Sequence, residues 1–72
     1  MKMSFAEDIK KIRLKTIMTQ EDFAKELGVA QNTVNRWETG KVKPGIKAMK
    51  QIDEFCKKNN IYFDIAEEIV SD

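Results

Sequence analysis

The sequence predicts an all-α fold, a compact bundle of four to five short helices. Three observations lead there. Apolar residues recur every three or four positions along most of the chain, the period of a helix with one buried face. Side chains that cap helix starts stand just ahead of these runs, and Gly or Asn stands just behind them. The composition, 42% hydrophobic and 35% charged with three Gly and one Pro, suits a globular helical chain and neither a disordered nor a collagenous one. A chain of 72 residues has room for one core only, since at this size about 60% of the unfolded surface is buried, so residues 1–72 are read as a single domain.

The elements follow in order. Ser4 with Glu7 three residues on is a capping-box signal, and Phe5, Ile9 and Ile12 then recur at helical spacing, giving a first helix over Ser4 to Lys15. Thr19 caps a second helix of about two turns, with Asp22 in the box position, Met18 and Phe23 as a hydrophobic staple, and Gly28 as a left-handed stop after Leu27. Val29 and Val34 repeat the staple around Ala30, which predicts a third helix from Gln31 to Thr39 stopped by Gly40. Past Pro44 and Gly45, the stripe Ile46, Met49, Ile52 and Phe55 marks a fourth helix ending near Asn59 and Asn60. The tail, 61–72, is ambiguous: Ile61, Phe63 and Ile65 alternate as a strand would, while Ile65, Ala66, Ile69 and Val70 suit a short fifth helix, which is favoured. Such short helices are marginal alone, so they must be held by a core around Phe23, Leu27, Val34, Trp37, Ile52 and Phe55.

Several functions are ruled out early. With no His and a single Cys there is no disulfide framework and no multi-ligand zinc site, so neither metal nor cofactor is expected. An enzyme is not expected either: there is no nucleophile with a partner base and no phosphate-cradling glycine loop. No run approaches the ~20 apolar residues of a membrane span, and Met1 to Thr16 lacks the apolar centre of a signal peptide, so the expectation is a soluble, cytoplasmic protein in a reducing compartment.

The net charge of +1 hides opposed patches. Arg36 to Lys50 holds five bases against Glu38 alone, whereas Asn59 to Asp72 holds four acids and no base. One end suits a polyanion and the other repels it, although such runs are as often plain solvated faces.

Two short helices with a turn of about three residues between them form a helix-turn-helix arrangement. A small residue, Ala24, lies where the second and third helices must cross closely; Gly28 takes the positive φ of the turn; Val34 and Trp37 bury one face of the third helix. The other face carries Gln31, Asn32, Asn35 and Arg36, amide and guanidinium groups able to contact base edges: Asn and Gln can pair with adenine, and Arg with guanine, through two hydrogen bonds. Lys41 and Lys43 follow in a loop where phosphates would pass.

The stretch TQEDFAKELGVAQNTVNRWETGKVKP resembles the Cro and phage-repressor type of helix-turn-helix, also called the XRE family. With the flanking KKIRLK and the helix after Pro44, the likeness covers roughly Ile9 to Asn59. It implies a lambda-repressor-like, five-helix domain that binds double-stranded DNA, usually as a homodimer on a palindromic operator. It also implies that Gln20 touches a phosphate, that Gln31, Asn32 and Arg36 sit over the bases, and that Arg13 pairs with Glu38 as a largely buried ion pair. Two positions depart from the pattern. Ala30 stands where many members have a capping Ser or Thr. Ile17 stands where Gly is common, and a β-branched residue is unwelcome at positive φ, so the first turn is expected to differ.

Other residues have plainer readings. Trp37, three from Val34, reads as core and not as a base-stacking ring; Met18 and Met49 fill gaps; Cys56, with no His or second Cys, reads as packing. Arg13 divides between a phosphate contact and the ion pair, with the pair favoured. The expected function is a sequence-specific transcriptional regulator, a repressor, reading the major groove with its third helix. The alternative is an antitoxin or adaptor module whose tail, 61–72, grips a partner protein.

Overall fold

The computed structural model describes residues 5–62. Four helices follow one another: α1 (Phe5–Lys15), α2 (Gln20–Leu27), α3 (Gln31–Glu38) and α4 (Ile46–Lys58), with no strand among the described residues. The all-α fold class expected from the periodicity is the one observed. Ser4 and the choice between strand and fifth helix in the tail lie outside the described residues.

The apolar spacings place the core where they predict it. Phe5, Ile9 and Ile12 of α1, Phe23, Ala24 and Leu27 of α2, and Val34 and Trp37 of α3 meet Met49, Ile52, Phe55 and Cys56 of α4 in one buried cluster. At its centre the Phe23 and Phe55 rings meet edge to face, centroids 5.2 Å apart at 80°, the arrangement the ring quadrupoles favour. Helix α3 packs on both α1 and α2, and α4 packs on α2. Ala24, 2% exposed, lies in this core, where a larger side chain would force α2 and α3 apart.

One stop ends every helix. The described residues with positive φ are Ile17 (55°), Gly28 (73°), Gly40 (78°) and Asn60 (58°), one after each helix. In each case the following residue donates its N–H back five positions: Met18 to Arg13 O at 3.3 Å, Val29 to Ala24 O at 3.0 Å, Lys41 to Arg36 O at 2.9 Å and Ile61 to Cys56 O at 2.8 Å. The stop residues themselves donate back three positions, to Leu14, Lys25, Trp37 and Lys57, which completes the Schellman pattern and satisfies carbonyls that the helix leaves open. Met18, Val29 and Ile61 then fold back as half-buried side chains against the core, while Lys41 is exposed.

Three expectations change. The turn at Ile17 does not depart from the left-handed course that Gly would take: this isoleucine adopts positive φ and stands 91% exposed, because Met18 must return to the core whatever residue precedes it. Ile46 is not part of the buried stripe. It is 58% exposed, on the solvent side of a first turn whose Ala48 and Met49 face the core, and the buried register is Met49, Ile52, Phe55 and Cys56. Helix α3 ends at Glu38, one residue early, with Thr39 as its C-cap.

Candidate nucleic-acid interface

The outward face of α3 follows from its inward one. With 100° between successive residues, burying Val34 (0% exposed) and Trp37 (3%) turns Gln31, Asn32, Asn35 and Arg36 away from the core, and all four are exposed. The helix starts at Ala30 with extended backbone (φ −75°, ψ 150°) and no side-chain cap, so its first N–H groups lack the partner that Thr19 Oγ1 gives Asp22 N–H in α2, at 3.1 Å. Its far end is tied down instead. Thr39 Oγ1 donates to Asn35 O at 3.0 Å and Arg36 O at 3.3 Å, and Arg36 O also accepts from Lys41 N–H and, at 3.4 Å, from Val42 N–H. Beyond it, Lys41 and Lys43 are exposed while Val42 is half-buried and Pro44 buried, the alternation of a chain with one side against the protein. The polar face and the two lysines are thus neighbours on one continuous stretch.

Behind this face lies a charged joint between three elements. Arg13 of α1 and Glu38 of α3 meet through two bonds, Nε to Oε2 at 2.7 Å and Nη2 to Oε1 at 3.0 Å, with side chains only 12% and 5% exposed. The third arm of the guanidinium, Nη1, donates to Met18 O at 2.8 Å, so the first turn is fastened to the same group. The hydrogen bond that Arg13 gives to Glu38 raises the Arg13 pKa above its usual value, with burial opposing and the carboxylate charge adding to it. Arg13 therefore stays charged at any accessible pH. No buried side-chain nitrogen or oxygen among the described residues lacks a partner.

The joint extends toward the surface through residues that the sequence assigned to DNA. Gln20 Nε2 donates to Glu38 Oε1 at 3.1 Å, and Asn35 Nδ2 faces Gln20 Oε1 at 3.4 Å, a solvent-exposed contact longer than the ~2.7–3.2 Å of ordinary N–H···O bonds. Gln20, expected at a phosphate, is half-buried and held inside the fold, and Asn35, expected at a base, is tied to it. Sequence spacing carries no sign of either bond, because the partners are 18 and 15 positions apart. Gln31, Asn32 and Arg36 stand beside them on α3, and Lys41 and Lys43 at its end.

Other chemistry is poorly supplied. Among the described residues no group of three or more His, Cys, Asp and Glu is placed to hold a metal ion, and no helix is long and apolar enough to cross a membrane. Cys56 is free and buried against the core, as packing requires.

Comparison with known proteins agrees with this arrangement. A family model described as helix-turn-helix matches residues 9–59. A curated relative, the HTH-type transcriptional activator BcrR of Enterococcus faecalis, is 34% identical over 53 residues, which cover 74% of this chain and 26% of that protein. The chain thus spans about a quarter of the length of that relative. No solved structure matches. The short helices, the turn at Gly28 and the matched span agree: this chain belongs to the XRE family of helix-turn-helix proteins.

Proposed function

We propose that the chain is the DNA-binding part of a transcriptional regulator, that α3 enters the major groove, and that two copies related by a twofold axis read a palindromic operator. The observation that carries this is the exposed row Gln31, Asn32, Asn35 and Arg36 on a helix whose opposite side is sealed by Val34 and Trp37. An α-helix fits the width of the major groove, and these side chain types match base edges. Lys41 and Lys43 supply phosphate contacts that position the helix without choosing a sequence. In a dimer the two recognition helices stand about 34 Å apart, one turn of duplex. Similarity to a protein named as a transcriptional activator supports regulation as the role of the contact.

The test is selection of sites from a random duplex pool, followed by fluorescence titration at stated ionic strength, since phosphate contacts make affinity salt-dependent. An enriched palindrome bound far more tightly than random duplex is the expected result; equal affinity for both would refute the reading. Repression is the expected sign, by occlusion of polymerase at an overlapping promoter. A reporter with the selected site upstream reads it directly, and increased expression would assign activation instead.

A further inference from the structure

We infer that the buried Glu38 carboxylate, acting through Gln20, sets which end of the Asn35 amide faces DNA and so makes Asn35 an oriented reader of one adenine; the inference rests on the DNA-reading function proposed above. Gln20 and Glu38 are then positioning residues, and neither touches a base.

The polarity follows from what each group can do. An ionised carboxylate only accepts hydrogen bonds. Glu38 Oε1 takes one from Arg13 Nη2 at 3.0 Å and faces the Gln20 amide at 3.1 Å, so Gln20 must turn its NH2 inward and its oxygen outward. That oxygen also only accepts, so Asn35 must give it an N–H, across 3.4 Å. Asn35 is left with Oδ1 and one remaining N–H on its exposed side. An isolated amide has no such preference, because its two ends are nearly the same size and either flip fills the same space. Here a single order runs from Arg13 to Glu38 to Gln20 to Asn35, anchored at its inner end by a pair that is nearly sealed from water.

An oxygen acceptor beside an N–H donor matches the N6 amine and N7 of adenine. Guanine offers two acceptors, N7 and O6, and would require both N–H groups of Asn35 to face it, withdrawing the one given to Gln20. The relay therefore favours adenine over guanine at the base pair under Asn35.

Four proteins test this: wild type, Asn35→Ala, Gln20→Met and the variant carrying both changes. Methionine keeps much of the volume of Gln20 and leaves both Arg13–Glu38 bonds in place, and thermal melting confirms that each variant is folded. Site selection with Asn35→Ala identifies the base pair whose preference is flattened. The expected wild-type result there is adenine, by about fivefold or more over guanine, the low end of what a two-bond base contact supplies. In Gln20→Met the same preference falls to within about twofold, while positions that survive Asn35→Ala keep theirs. In the Asn35→Ala background, adding Gln20→Met changes no base preference. Guanine at the Asn35 position, or a Gln20→Met protein that binds every sequence more weakly with its adenine preference intact, would overturn the inference and leave Gln20 as a phosphate contact. A wild type with no preference at any position is a different result, and it sinks the regulator reading together with this one.

Discussion

Replacing Glu38 with alanine removes the acceptor from three donors at once: Arg13 Nε, Arg13 Nη2 and Gln20 Nε2. The guanidinium keeps only its bond to Met18 O and sits in a site that is 12% exposed, so its charge is stranded where water reaches it poorly. Removing one partner of such a pair costs about 3–5 kcal/mol. A domain of this length has a total stability of about 4–11 kcal/mol, so Glu38→Ala should consume at least about a quarter of it and, at the low end, all of it. At about 4–8 °C per kcal/mol for a small domain, the melting temperature should drop by roughly 12–40 °C. Urea titration followed by circular dichroism reads the free energy directly, and an unchanged slope confirms that the native fold is what unfolds. A companion variant with both charges removed, Arg13→Met with Glu38→Leu, should recover most of the loss, because no buried charge is then left alone. A cost below about 1 kcal/mol for Glu38→Ala would refute the reasoning, since that is the range of pairs open to solvent.

Four further outcomes are expected. Ile17→Gly should stabilise by up to about 1 kcal/mol in the same urea assay: it relieves about 1–2 kcal/mol of left-handed strain, less what a looser unfolded chain takes back, and a side chain 91% exposed loses no packing. Ala30→Ser should add about 1 kcal/mol by capping α3, whose N-cap backbone is already extended. Burial, with Asp53 adding and Lys15 opposing, pushes the Cys56 thiol up to about 11. The unfolded thiol loses its proton first, near its usual ~8.5, so urea stability should hold below about pH 8 and decline from there toward pH 11, and a thiol reagent at pH 7 should react only as fast as the domain opens. Arg36→Ala should cost about 1–3 kcal/mol on the selected operator and relax choice at one base pair, whereas Lys43→Ala should weaken all duplexes alike and reduce the salt slope by about one; equal losses from both on every DNA would contradict that division.

Where local chemistry decides, the sequence was legible. Thr19, Gly28 and the Val34–Trp37 spacing carry α2, the turn and the register of α3 by strictly local chemistry, and the structure keeps all of them. The exposed face of α3 follows from that register, so its polar row is legible in the sequence. Ile17 was not legible, because its left-handed backbone answers a demand made by the core on Met18 and not by its own side chain. Ile46 fits the stripe by spacing, yet no spacing says where the core runs out. The links from Glu38 to Gln20 and from Gln20 to Asn35 join residues far apart in the chain, and they change what two of the expected DNA contacts are free to do.

The repeated helix ending has a consequence for how such a domain can vary. Three of the four endings aim an apolar side chain inward, where any replacement disturbs the packing; the fourth aims Lys41 at water with the same backbone bond to hold it. Position 41 is therefore a point where charge can be added, removed or reversed without asking anything of the rest of the molecule. On the DNA-reading function proposed above, overall grip on a polyanion would be adjusted there while the lettering read by α3 stays as it is.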